Sequence, residues 1–340
     1  MKHIVAVAAV LAATAIAAAA PEITPPGFHA LDVRTVPIPR FKLSTGETRF
    51  GALEYRGGFA MYSTDGNFGS WSGLDFAADG RIVAIADTGF WLTARLVEDG
   101  DELVDLAEPK IGVMLGDNGQ PAPNKVSTDA ESLRIVNRAG RETALVSFEQ
   151  KAAVRRYAGP DFAAATPTHP PLPKFVAGLR RNQGLEALAV APAASSLAGA
   201  TIAIAERSLD GAGNHRGFIL DGARPGPFQI RRSDDFDISD ANFLPNGDLL
   251  ILERRFSYMG GFAMRIREIA AASIKPGATV DGTTLIVADN TFQIDNMEGL
   301  AVRTSATGDT LLDIVSDDNH GFLQRSILLQ FKLVAPTATQ

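Results

Sequence analysis

Residues 72–87 read SGLDFAADGRIVAIAD, and the same plan recurs four more times along the chain. The later copies are DAESLRIVNRAGRETALVSFE (129–149), QGLEALAVAPAASSLAGATIAIAE (183–206), SDANFLPNGDLLILE (239–253) and NMEGLAVRTSATGDTLLDIVSD (296–317). In each, an acid precedes a short apolar run, a turn follows, and a second apolar run ends on another acid. The opening acids Asp75, Glu131, Glu186, Asp240 and Glu298 stand 56, 55, 54 and 58 positions apart. A period near 55 identifies a repeat architecture.

The apolar runs, such as RIVAIA, ALVSF, TIAIA and DLLIL, are five or six residues long and bounded by turn residues. That length and their Ile, Val and Leu content suit strands rather than helices. Asp79-Gly80, Ala139-Gly140, Asn246-Gly247 and Gly308-Asp309 supply residues that tolerate positive φ at hairpin turns. Helical periodicity is nearly absent, with Arg265 to Ser273 (RIREIAAAS) the best short-helix candidate. The fold expected is an all-β, six-bladed β-propeller, with five or seven blades as near alternatives and two packed β-sandwiches as the competing architecture. The sixth blade would combine strand-like pieces in TRFGALEYRGGFAMYS (48–63) with the C-terminal SILLQFKLV (326–334). Closing the ring removes open sheet edges.

Residues 1–20 are expected to lie outside this fold. Lys2 and His3 precede an unbroken run of Ala, Val, Leu, Ile and Thr from Ile4 to Ala20, which reads as a cleaved signal peptide against the alternative of a retained anchor. Residues 21–340 then form a single propeller domain in the periplasm or outside the cell, with no stable membrane insertion after cleavage. Such a chain buries enough core to dispense with disulfides, and it contains no cysteine. Acidic residues exceed basic ones by 39 to 32, which argues against a nucleic-acid partner. Self-association is left open.

Opening and closing acids of one hairpin lie at the same edge of its strand pair. Asp75, Glu131, Glu186, Asp240 and Glu298 are therefore expected to form one ring at the channel mouth. Asp87, Glu149, Glu206, Glu253 and Asp317 would form a wider ring on the same face. Oxygen-only donors favour a hard cation, Ca²⁺ before Mg²⁺, and three to five of these carboxylates suffice as ligands. The competing reading is that such acids accept hydrogen bonds from backbone amides at blade junctions. The four histidines beyond the leader show no zinc spacing. Arg207 and Arg254 directly follow closing acids, where a guanidinium fork suits a phosphate. The cluster SDDNHGFLQR (316–325) offers His320 as a proton donor, and His215 is a second candidate. GSWSG (69–73) has Trp71 where an esterase elbow needs serine, and no nucleotide-binding glycine motif occurs.

Taken together, SGLDF, NQGLEALAV, NMEGLAV, LILERRFS and SDDN…QRSILLQF resemble the phytase-like, or "esterase-like activity of phytase", β-propeller family over residues 50–334. The resemblance implies calcium-dependent hydrolysis of a small phosphorylated or ester substrate. It implies Glu186, Glu298 and Asp317 as leading metal ligands, Arg207 or Arg254 as charge stabilisers and His320 as the leaving-group acid. Dense DxD runs are absent from this chain. Two other functions compete: a lactonase or carboxylesterase with a single channel metal, marked by an apolar wall from Phe90, Trp91, Phe256 or Tyr258, and a non-catalytic, metal-stabilised binding propeller.

Overall fold

The computed structural model describes residues 25–122, 125–150, 152–176, 179 and 184–334, and leaves the side chains of Lys125, Val126 and Glu206 undescribed. The proposed leader at 1–20 lies outside the described residues. Among those residues, no helix is long and apolar enough to cross a membrane.

The protein is all-β apart from one four-residue helix and two short 3₁₀ turns among the described residues. Most of its strands fall into five groups, one per acidic repeat. The first runs Trp71–Phe76, Ile82–Ala86, Phe90–Asp99 and Glu102–Val113, each strand antiparallel to the last. The second holds Ala130–Arg138, Arg141–Phe148 and Ala153–Ala158. Leu185–Val190, Thr201–Leu209, His215–Ile219 and Gly226–Ile230 make the third, and Asp237–Phe243, Leu249–Ser257, Gly261–Ile269 and Thr283–Ala288 the fourth. Asn296–Thr304, Thr310–Asp317 and Ser326–Leu333 begin the fifth.

The fifth group takes its outer strand from the other end of the chain. Leu53–Tyr62 pairs antiparallel with Ser326–Leu333. The last repeat supplies only three strands before the described chain ends, so the N-terminal strand fills the vacant fourth place. The two ends of the chain thus meet, as expected, and Leu53–Tyr62 also pairs with Glu102–Val113, so the first and fifth groups share one eleven-stranded sheet. The first strands of the five groups touch in cyclic order, the fifth returning to the first.

Each junction between neighbouring groups has its own apolar core. Val83, Ile85 and Trp91 of the first group pack against Leu133, Val146 and Phe148 of the second. Ile202 and Ile204 meet Leu249 and Ile251 between the third and fourth, and Leu250 and Leu252 meet Leu312 and Ile314 between the fourth and fifth. Phe59 and Val315 close onto Trp71 and Leu74 across the last junction. Each such side chain contributes roughly 1.5–3 kcal/mol on full burial, so ring closure rests on repeated apolar contact. Near the axis the strands come close: a Cβ on Gly73 would meet the Leu133 nitrogen at 2.8 Å.

The turn readings hold at Gly80 and Gly247, whose φ values are +81° and +96°. The helix expected at Arg265 to Ser273 is instead strand through Ile269, followed by a 3₁₀ turn at Ala271–Ser273. Alternation explains the difference: Arg265 and Arg267 face a buried carboxylate while Met264 and Ile266 enter the core.

Candidate metal and oxyanion centre

At one end of the ring lies a cavity of about 840 Å³. Its wall carries seven carboxylates (Asp87, Asp129, Glu131, Glu149, Glu186, Glu298 and Asp317) against two guanidinium groups, Arg207 and Arg254. That excess of negative charge favours cations over anions in the cavity.

Strand register decides which acids arrive there. Pairing between the first two strands skips Ser72 in the first repeat, Glu186 in the third, Ser239 in the fourth and Glu298 in the fifth. In the second repeat the pairs Ala130↔Phe148 and Leu133↔Val146 leave Glu131 at the same irregularity. A bulge re-aims the side chain it carries. The equivalent mouth positions are thus Ser72, Glu131, Glu186, Ser239 and Glu298. Cross-repeat bonds agree: Ser72 Oγ donates to Ala130 O (2.6 Å), and Ser239 Oγ donates to Met297 O (3.0 Å).

Asp75 and Asp240 therefore stand away from the expected inner ring. Asp240 is one residue past the mouth position, and a one-residue step turns a side chain to the other face. It is fully buried, accepting from Ser132 Oγ (2.7 Å), Arg134 Nη2 (2.7 Å) and Leu300 N (2.7 Å). Asp75 lies three residues past Ser72 and accepts from Phe76 N (2.9 Å) and Ile135 N (2.7 Å). Both carboxylates bind the next repeat's backbone at a blade junction.

The outer ring is shifted in one repeat. Asp317 pairs across from Asn296, and Arg254 occupies the corresponding place across from Asp237. Glu206 follows Ala205, the partner of Leu185, in the same backbone position; its side chain lies outside the described set. Glu253, one residue before Arg254, points inward with no exposure. Its two oxygens receive Arg265 Nε (2.7 Å) and Nη2 (3.1 Å) and Arg267 Nε (2.8 Å) and Nη2 (2.6 Å). It does not line the cavity.

Asp129, Glu131 and Glu149 come closest together, each offering an oxygen within 4.8 Å of the others. Burial holds the Glu131 carboxyl well above the usual range, reinforced by the charges of Asp129, Glu298, Glu149 and Asp87. Asp317 is pushed up to about 6 by burial, with Asp87 and Asp318 adding to the rise and the Asn319 amide opposing it. Arg254 Nε lies 2.9 Å from Glu298 Oε1, which also accepts Asn296 Nδ2 at 2.8 Å. Arg207 is more exposed, its Nε 3.7 Å from Asp237 Oδ2.

The histidines fall elsewhere. His320 is exposed on the loop after Asp317, its backbone nitrogen bonded to Asp318 Oδ1 at 3.1 Å, and it does not line the cavity. His215 is fully buried, with Nε2 3.3 Å from Phe236 O. Of the expected aromatic wall, Phe256 lines the cavity, joined by Phe262 and Leu323. Trp91 packs in the core against Tyr157 and Phe162, and Tyr258 projects outward. Sequence reasoning missed Asp129 and Asn296, both just ahead of a mouth glutamate in the repeats DAES and NMEG. That shared offset of two residues was the available signal.

A family model described as phytase-like, esterase-like activity of phytase, matches residues 66–320. The chain belongs to this phytase-like family. No curated protein matches it. Among solved structures, this phytase-like chain is similar to an α-L-arabinofuranosidase from Podospora anserina in complex with cellotriose, at 11% identity, 85% of this chain, 98% of that chain and a TM-score of 0.48. A thermostable family-43 glycoside hydrolase gives 8%, 82%, 98% and 0.46, and the Dos1 propeller 9%, 83%, 76% and 0.37.

The raised carboxyl of Asp75 has a consequence for stability. Burial, opposed by Arg134 and two backbone bonds, puts it at about 6, above the 3.8 of a free aspartate. The folded state then holds a proton that the unfolded chain has released, so stability is greatest below 3.8 and falls as pH rises towards 6. In chelator, melting temperature should fall between pH 4 and pH 7. Asp75→Asn should flatten that fall by an amount on the order of 1–3 kcal/mol. Melting curves with an unchanged pH slope in the variant would refute this assignment.

Proposed function

We propose that this phytase-like propeller is an extracytoplasmic, calcium-dependent phosphoester hydrolase. The observation that carries the reading is the Asp129–Glu131–Glu149 cluster, which shares one cavity with two arginines. The donors are all oxygen, which suits Ca²⁺ over Mg²⁺ in a site of several carboxylates. The residues fit such an ion in two further ways. Glu131 is forced towards protonation by desolvation and by its acidic neighbours, a cost that a cation among them would relieve. Asn296 Oδ1, in a residue 4% exposed on the cavity wall, is a carbonyl oxygen with no hydrogen-bond partner among the described residues.

Asp129, Glu131 and Glu149 would hold the ion, with Glu186, Glu298 and Asp317 on the wall beside them. When bound, it supplies charge neutralisation and Lewis acidity towards a phosphoryl oxygen or a water. The protein's own part is positioning. Arg254, fixed by Glu298, and Arg207 at the rim offer forked donors to phosphate oxygens and to charge developing on them. In the net reaction, water oxygen bonds to phosphorus, the ester P–O bond breaks, and the leaving oxygen takes up a proton. Asp317, whose carboxyl burial raises to about 6 in the cation-free cavity, is the wall carboxylate offered for that proton.

Hydrolysis of a lactone or carboxylic ester is the second reading, favoured by the apolar wall of Phe256, Phe262 and Leu323. Arg254→Gln separates the two. For a phosphoesterase, the variant should lose roughly 30–1,000-fold in kcat/KM on p-nitrophenyl phosphate. Any p-nitrophenyl butyrate cleavage should change little. Calcium-dependent butyrate cleavage with no phosphate turnover in the native protein would favour the second reading. Calcium stabilisation with neither activity would make this a binding propeller. Placement outside the cytoplasm rests on residues 1–20, and N-terminal sequencing of secreted protein tests it.

A further inference from the structure

Twelve large apolar side chains are exposed among the described residues, and the four most exposed belong to two loops. Tyr258 and Met259, each 98% exposed, tip the hairpin between Leu249–Ser257 and Gly261–Ile269. Phe322 and Leu323, at 101% and 89%, lie on the loop between Thr310–Asp317 and Ser326–Leu333. The next most exposed, Leu43, reaches 65%. Both loops rise from the cavity end of adjacent repeats.

The loops are joined to the cavity by apolar surface. Phe256 stands at the base of the hairpin, its ring 5.7 Å from Tyr258 and 4.9 Å from Phe262. Phe256, Phe262 and Leu323 all line the cavity that holds the acids and arginines. An apolar surface thus runs outward from the charged centre to a rim of fully exposed aromatic and aliphatic side chains. Exposed contiguous apolar surface beside a polar centre marks a binding site. Water-soluble, fully polar phosphate esters leave such a rim without use.

We infer that the substrate is amphiphilic: an ester whose charged head enters the cavity and whose alkyl or aryl part lies on the Phe256–Tyr258–Met259–Phe322–Leu323 rim. This rests on the metal-and-arginine reading of the cavity for the head group, and on the rim alone for the tail. A tail half-covered by the rim gains about twofold in affinity per methylene, half the free energy of full burial.

Calorimetry with methyl, butyl and octyl phosphate, below micellar concentrations and with Ca²⁺ present, tests the inference. Octyl phosphate should bind about 100-fold more tightly than methyl phosphate. In the triple variant Tyr258→Ser/Met259→Ser/Phe322→Ser that ratio should drop to about tenfold or less, with the melting temperature unchanged because all three side chains are exposed. Equal affinity along the series would overturn the inference, as would a full ratio surviving in the triple variant. Cosedimentation with phosphatidylcholine vesicles combined with a flat series would overturn it too, and make the rim a membrane contact. Turnover is measured separately on the same phosphates: chain-length-dependent binding without hydrolysis removes the proposed reaction and leaves the rim assignment standing.

Discussion

Glu131→Gln should raise the melting temperature of the calcium-free protein and abolish the rise that calcium is expected to produce in the native chain. The two effects share one cause. Desolvation at a half-buried position, together with four neighbouring carboxylates, makes the charged form of Glu131 costly until a cation arrives. Glutamine keeps the shape and removes that cost, so the empty protein gains stability. It also removes a ligand, so calcium has less to bind. For the native protein, calcium at a hundred times its dissociation constant should contribute about 2.7 kcal/mol. In a chain of this size that is roughly 5 °C. The variant should show a shift of 1 °C or less, and hydrolysis should fall at least about 100-fold. A native-size calcium shift in Glu131→Gln, read by differential scanning calorimetry, would remove Glu131 from the metal centre.

Glu253→Gln should do the opposite: a large loss of stability with the calcium response intact. Glu253 is the shared partner of two buried arginines, Arg265 and Arg267, whose other contacts reach Asp234 at 3.1 Å and Asp281 at 2.6 Å on the periphery. Neutralising it leaves two guanidinium groups facing an amide that accepts at one oxygen only. Removing one member of a buried ion network costs about 3–5 kcal/mol, or roughly 5–9 °C here. The calcium shift should persist, because Glu253 faces away from the cavity. Loss of that shift with unchanged calcium-free stability would return Glu253 to the metal site.

The contrast between these two glutamates shows what the sequence carried and what it did not. Period, turn chemistry and apolar runs gave strands, repeats and a ring, because hairpins of fixed length leave local marks. The meeting of the two ends was legible as well: Leu53–Tyr62 pairs with Ser326–Leu333 although some 270 residues separate them. The acidic pattern found the correct end of the propeller: Glu131, Glu186, Glu298 and Asp317 do line one cavity, with Arg207 and Arg254. It misplaced Asp75, Asp240 and Glu253, because acids were matched by type. A β-bulge at the mouth position leaves no residue signature, and one residue of register separates a cavity wall from a core. Where serine takes the mouth position, at Ser72 and Ser239, the nearest acid was a structural one. His320 was favoured for its polar neighbours, yet Asp318 beside it ties the loop to Ser70 N (2.9 Å) and Ser326 Oγ (2.8 Å).

The central claim is that a cation held by Asp129, Glu131 and Glu149 enables ester hydrolysis in this cavity. The direct measurement is p-nitrophenyl phosphate turnover by chelated protein as Ca²⁺ is titrated back. The account predicts no turnover without calcium and a saturable rise with it, in parallel with the gain in melting temperature. Turnover that persists at full strength in excess chelator would contradict it.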